Sequence, residues 1–132
     1  MAPSPLPAAA PSEAELDLLK IFWRDGELSA REVQDRIGGD MAWTSSTTRT
    51  VLERMRTKGL LGRRNVHGMA VYAPAQAKVA IVGALMRRLG AVLEVDGPLP
   101  AAAFSGSQIL NDEDIAALEA MLAADDGSED KA

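Results

Sequence analysis

The side chains best suited to chemistry in this chain of 132 residues are cations, and they are crowded together. Arg31, Arg36, Arg49, Arg54, Arg56, Lys58, Arg63 and Arg64 fall within residues 31–72 against four acidic residues, a local excess of +4. The flanks are acidic: residues 1–30 carry −3 and residues 73–132 carry −6, so the whole chain has a formal net charge of −5. A guanidinium forks to phosphate or to the edge of guanine. A basic middle held in an acidic body is therefore a polyanion-binding pattern that the whole-chain charge conceals. Other chemistries are poorly supplied. There is no cysteine, which removes disulfides, iron–sulfur sites and thiol nucleophiles. The single histidine, His67, leaves too few nitrogen ligands for an ordinary zinc site. There is no Gly-rich phosphate loop and no acid–base constellation, so no enzyme activity, metal or cofactor is expected.

A series of short helices must position these cations. Ser12-Glu13-Ala14-Glu15 has the form of a capping box. The helix it opens carries Leu16, Leu19 and Trp23 at i, i+3 and i+7, with Leu18 and Phe22 widening the stripe, and Asp25-Gly26 stops it. After Leu28, Ser29-Ala30-Arg31-Glu32 repeats the box. The second helix turns Val33 and Ile37 inward, is too short to stand without packing, and ends at Gly38-Gly39. A third helix runs from Thr44 to Lys58 and stops at Gly59, with Thr44 and Ser45 competing as N-cap. At about 100° per residue, Thr48, Val51, Leu52 and Met55 share the core side. The opposite side carries Ser46, Thr50, Glu53 and Thr57, with Arg49 on one edge and Thr47 and Arg54 on the other. Residues 60–73 then read as a hairpin: LLGRRNV and MAVYA flank the turn His67-Gly68, and Pro74 closes the second strand.

Three short helices followed by a hairpin predict a winged helix, a helix-turn-helix whose second helix enters the major groove with the hairpin as wing. The fold class is mainly α with a small β-hairpin wing, followed by a helical dimerisation region. Candidate DNA-binding residues are Ser45, Ser46, Thr47, Arg49, Thr50 and Arg54 on the third helix and Arg63, Arg64 and His67 on the hairpin. Arg49 suits a base edge or a phosphate. The short hydroxyls let the helix sink into the groove, although Ser45 serves equally well as a cap. The hairpin arginines suit phosphate positioning, whereas His67 reads first as a turn residue. Trp43 reads as a packing staple ahead of a base-stacking ring.

From Gln76 to about Val95 a further helix is apolar nearly all round. Ile81, Leu85, Leu89 and Val92 form one stripe, and Val79, Val82, Met86 and Leu93 a second. One small domain cannot cover both, so a second copy is expected. Gly97-Pro98-Leu99-Pro100 breaks the chain, and a short helix is expected between Ala101 and Leu110. Asn111 caps a last helix with Asp112, Glu113 and Asp114 in its first turn. The homodimer residues are Ile81, Val82, Leu85, Met86, Leu89, Val92, Ile115, Leu118 and Leu122. The boundaries read 1–11 as a disordered Pro/Ala-rich tail, 12–75 as the DNA-binding domain, 76–124 as the dimerisation domain and 125–132 as a disordered acidic tail. No apolar run reaches the ~18 residues of a membrane span, and the start of the chain lacks a signal-peptide pattern. A cytoplasmic protein is expected.

The strings EAELDLLKIFW, LSAREV, TTRTVLERMRTKGLL, VYAP and LNDEDIAALEAML, in this order and spacing, resemble the penicillinase and methicillin-resistance repressor family. The resemblance covers residues 12 to about 124. It implies a homodimeric repressor on a palindromic operator of antibiotic-resistance or stress genes, with an amino-terminal winged helix and a three-helix dimerisation region. In several relatives a membrane sensor-protease triggers cleavage in that region, and the matching bond here is Ala103–Phe104. Ala103 stands where the cut relatives have Asn, and a core anchor is the competing reading of Phe104. Ala70 replaces a usual aromatic, and the absence of cysteine excludes the copper-responsive branch. Two other classes stay open: a winged helix used for protein–protein interaction, and an enzyme subunit or anti-sigma-like partner. Salt-dependent binding to duplex DNA separates the first reading from both.

Overall fold

The local signals become caps, stops and one tight turn. In the structure, a computed structural model, residues 11–37, 41–97 and 100–130 are described. Most of the Pro/Ala-rich start, Gly38-Gly39, Pro98-Leu99 and the end of the acidic tail lie outside them. The elements run α1 Glu13–Asp25, β1 Leu28–Ser29, α2 Ala30–Ile37, α3 Ser45–Thr57, β2 Leu61–Val66, β3 Met69–Pro74, α4 Lys78–Val92, a 3-10 helix Ala101–Phe104, and α5 Asp112–Asp130. This is the mainly helical winged arrangement the periodicity predicts. The chain divides into two compact units at Gln76/Ala77. No helix among the described residues is long and apolar enough to cross a membrane.

Both predicted capping boxes form. The Glu15 amide donates to Ser12 Oγ at 3.2 Å while the Ser12 amide donates to Glu15 Oε1 at 2.9 Å. Ser29 and Glu32 repeat this at 3.2 and 2.8 Å. Thr44, rather than Ser45, caps α3, accepting from the Thr47 amide at 3.1 Å. At the other end of α3 the Leu60 amide reaches back to Met55 O at 2.9 Å. That closure needs a left-handed residue between them, which Gly59 supplies at φ 85°.

The sheet is antiparallel in the order β1-β3-β2. Its hairpin turns through His67 at φ 52° and Gly68 at φ 81°, two left-handed residues in succession, which match the twist of the flanking strands. β1 is an addition to the expected fold: Leu28 pairs with Tyr72 and Ser29 with Val71. Two residues are too few to carry a strand signal of their own.

The core of the first unit takes Leu18, Leu19, Ile21 and Phe22 from α1, Val33 from α2, Leu52 and Met55 from α3, and Leu28, Leu60, Leu61 and Tyr72 around the sheet. The buried stripe of α1 thus centres on Leu18, Leu19 and Phe22. Leu16 and Trp23, which the heptad spacing places at its centre, are half-buried at its edge, as are Ile37 and Val51.

In the second unit α4 packs on α5, and the 3-10 helix packs on α5 as well. Met86, Ala101, Leu110, Ile115, Leu118 and Leu122 form its core, with Val79 and Val82 partly buried against it. The two helices approach closely at Gly83, where a Cβ would lie 2.8 Å from Met121 Sδ. Helix α4 is shorter than its apolar run. It ends when Glu94 turns left-handed at φ 55° and the Val95 amide bonds back to Gly90 O at 2.9 Å. Between Ala101 and Leu110 only the first four residues are helical, because Ser107 Oγ takes the Ile109 and Leu110 amides at 2.9 and 3.0 Å. Asn111 caps α5 as expected, accepting from the Asp114 amide at 2.8 Å. α5 then runs on to Asp130, through most of the segment whose acidity predicts disorder. The Ala- and Leu-rich stretch from Ala116 to Ala124 propagates helix into it.

Candidate nucleic-acid interface

Helix α3 is seated by its own buried side. Thr48, Leu52 and Met55 are fully enclosed. The Thr48 hydroxyl donates to Gln34 Oε1 on α2, and Gln34 Nε2 donates to Trp43 O at 2.7 Å, so one side chain fixes both the turn and the helix after it. At the far end Lys58 Nζ meets Glu15 Oε1 at 2.7 Å, with Glu15 nearly enclosed. Burial alone would raise the Glu15 carboxyl. The Lys58 hydrogen bond and charge, with the Ser12 donors, overcome it and hold the group below the usual range. What α3 leaves outside is Ser45, Ser46, Thr47, Arg49, Thr50 and Arg54, all exposed. Thr47 Oγ1 accepts from the Thr44 hydroxyl at 3.1 Å, so part of its capacity is used locally.

Glu53 departs from the outward face predicted for it. It turns to the hairpin, where its Oε2 accepts from the Tyr72 hydroxyl at 2.6 Å and from Arg63 NH1 at 2.7 Å, while Oε1 accepts from Arg56 at 3.0 Å. The Tyr72 hydrogen bond, with the Arg56 and Arg63 charges, holds the Glu53 carboxyl low. Burial and Glu53 together push the Tyr72 hydroxyl up. On the neighbouring residue, Arg64 forks onto Glu27, Nε to Oε2 at 2.6 Å and NH2 to Oε1 at 2.7 Å. That hydrogen bond lowers the Glu27 carboxyl. His67 sits exposed at the tip of the turn.

The basic segment therefore divides in two. Arg36, Arg56, Lys58, Arg63 and Arg64 are each paired with a carboxylate. Arg31, Arg49 and Arg54 are exposed, and among the described residues nothing pairs with them. These three arginines flank the helix-turn-helix: Arg31 stands in the first turn of α2, and the other two lie along α3. Sequence reading placed Arg49 and Arg54 but missed Gln34, Glu53 and Glu27. These bonds to Trp43, Arg63 and Arg64 span 9 to 37 residues along the chain, and no local pattern announces them. Trp43 is half-buried with its carbonyl held by Gln34.

The nine residues expected at a dimer interface also divide. Ile81, Met86, Ile115, Leu118 and Leu122 are buried within the single chain, and Val82 and Leu85 are half-buried. Leu89 and Val92 stay open at 46% and 69% exposure, beside Leu93 and Val95, which the fold also leaves out. Ala103 and Phe104 end the 3-10 helix, and Phe104 is 37% exposed in the single chain.

Comparison with known proteins agrees with this architecture. The family model described as the penicillinase repressor matches residues 11–124. A penicillinase repressor of Bacillus licheniformis is 30% identical over 63 residues, which are 48% of this chain and 49% of that protein. The chain thus aligns with about half the length of that relative. The matched family region takes in the capping boxes, α3, the hairpin and most of α5, and the chain belongs to the penicillinase repressor family.

Proposed function

We propose that this protein is a DNA-binding transcriptional repressor that acts as a homodimer on a palindromic operator. The observation that carries the reading is the outer face of α3. Arg49 and Arg54 stand among exposed hydroxyls with no partner among the described residues, on a helix locked from behind by Gln34, Leu52 and Met55. Free guanidinium groups are available to phosphate and to guanine edges, and the short hydroxyls allow close approach. The curated relative is a penicillinase repressor, so antibiotic-resistance or stress genes are the natural targets. The exposed apolar residues Leu89, Val92, Leu93 and Val95 support pairing with a second copy. Half-sites would then lie about one helical turn apart, or a small multiple of it.

Induction by proteolysis at Ala103–Phe104, through a membrane sensor-protease, belongs to the same reading. The bond is exposed, and the short helix holding it ends in a Gly106 turn, so local opening is inexpensive. Loss of residues 104–132 removes α5 and with it Ile115, Leu118 and Leu122 from the core of the second unit. A chain truncated after Ala103 should lose both self-association and tight operator binding. Retention of both would remove cleavage here as a switch. The repressor reading itself is tested by duplex binding. Steeply salt-dependent association supports it, and its absence would favour a protein-interaction module.

A further inference from the structure

The two arginines of β2 are exposed, yet both are already occupied. Arg64 is held by Glu27, from the turn between α1 and β1, through two parallel short hydrogen bonds at 2.6 and 2.7 Å. This is the fork geometry with which a guanidinium takes a phosphate. Arg63 is held by Glu53 at 2.7 Å. Each pair presents little net charge to a distant polyanion, and a phosphate approaching Arg64 meets the Glu27 carboxylate beside it. On α3, Arg49 and Arg54 have no such competitor among the described residues.

We infer that Glu27 is an internal competitor for phosphate, a carboxylate that occupies the phosphate-binding edge of Arg64 and so suppresses sequence-independent binding by the hairpin. The inference rests on the proposed repressor reading, with the hairpin arginines set against phosphate as their sequence suggests. Backbone contacts supply nearly all of non-specific affinity, whereas base contacts from α3 discriminate. Neutralising the hairpin therefore lowers affinity for random DNA while the base contacts of α3 are untouched.

The test uses the full chain and a random-sequence duplex of about three helical turns, followed by fluorescence anisotropy over roughly 50–200 mM salt. Glu27→Gln should tighten binding about two- to fivefold, the range of an exposed ion pair, and steepen the log–log salt slope by up to about one. Adding Arg64→Ala to Glu27→Gln should abolish the gain, because the released guanidinium is what binds. Circular dichroism should show the same fold in each variant, since the exposed pair carries no core packing. Unchanged or weaker binding by Glu27→Gln, while the parent chain binds with a steep salt slope, would overturn the inference and leave the repressor reading standing. A parent chain with no affinity for duplex even at low salt would overturn both.

Discussion

Helix α3 and the hairpin β2–β3 present the same kind of side chain from the same folded unit, and the structure treats them oppositely. Arg49 and Arg54 on α3 are exposed and unpartnered among the described residues, whereas Arg63 and Arg64 on β2 are each closed onto a glutamate. The helix is anchored by its buried side, Thr48, Leu52 and Met55, so its outer cations need not take part in holding it. The two-stranded wing buries only Leu61 and Tyr72. Its residues from Gly62 to Asn65 are all exposed, and the contacts of Glu53 with Tyr72 and Arg63 tie it down to α3. Charge on α3 is thus available for recognition, and much of the charge on the hairpin is used in holding the hairpin.

The strongest way to break the comparison is to unseat α3. Leu52→Ala should cost about 2–5 kcal/mol, the usual range for an enclosed leucine. Denaturant unfolding should show the loss, with both surfaces disordered together. Next in size, Arg49→Ala should weaken binding to the preferred operator about ten- to a hundredfold, a discrimination of about 1–3 kcal/mol, and weaken binding to random duplex much less. Equal losses on both duplexes would place Arg49 on phosphate alone.

The buried end of α3 gives a third test. Glu15→Gln keeps a capping side chain but removes the charge facing Lys58, and should cost about 1–3 kcal/mol. It should also flatten the acid limb of stability. The folded Glu15 carboxyl lies below its ordinary value, so its contribution is fully present above the ordinary glutamate range and is lost as pH falls below it. The Glu53 carboxyl is shifted in the same direction, so the tie between hairpin and helix should loosen over the same acidic interval. Unfolding midpoints of the parent and of Glu15→Gln should converge as pH drops. Curves that stay parallel would assign the stability of Glu15 to something other than its charge. The smallest expected effect is that of Arg64→Ala, under about fivefold and equal on operator and random duplex, because the side chain is already engaged.

What was legible in the sequence follows the range of the interaction. Ser12 with Glu15, Ser29 with Glu32, Thr44 with Thr47 and the His67-Gly68 turn all act within four residues, and residue type alone signals them. The exposed face of α3 was legible from helical periodicity at every candidate position. Glu53 was not, because its direction is set by Tyr72 and Arg63 on strands that periodicity cannot place in space. The excess charge of residues 31–72 was visible, but its division into free and paired arginines depends on contacts as distant as Glu27 with Arg64. In the second unit the apolar stripes read from periodicity overrun α4, which stops at Val92 before Leu93. Which positions face inward was decided by the close approach of α4 and α5 at Gly83, a packing choice that leaves Leu89 and Val92 outside.

Helix α3 as the surface that meets DNA is tested most directly by the salt dependence of duplex binding, measured on paired double variants. Arg49→Ala/Arg54→Ala should shallow the log–log slope by about one to two, one for each of the pair that contacts phosphate, while Arg63→Ala/Arg64→Ala should change it by less than about one. The opposite order, or a parent chain whose binding is indifferent to salt, would contradict the account.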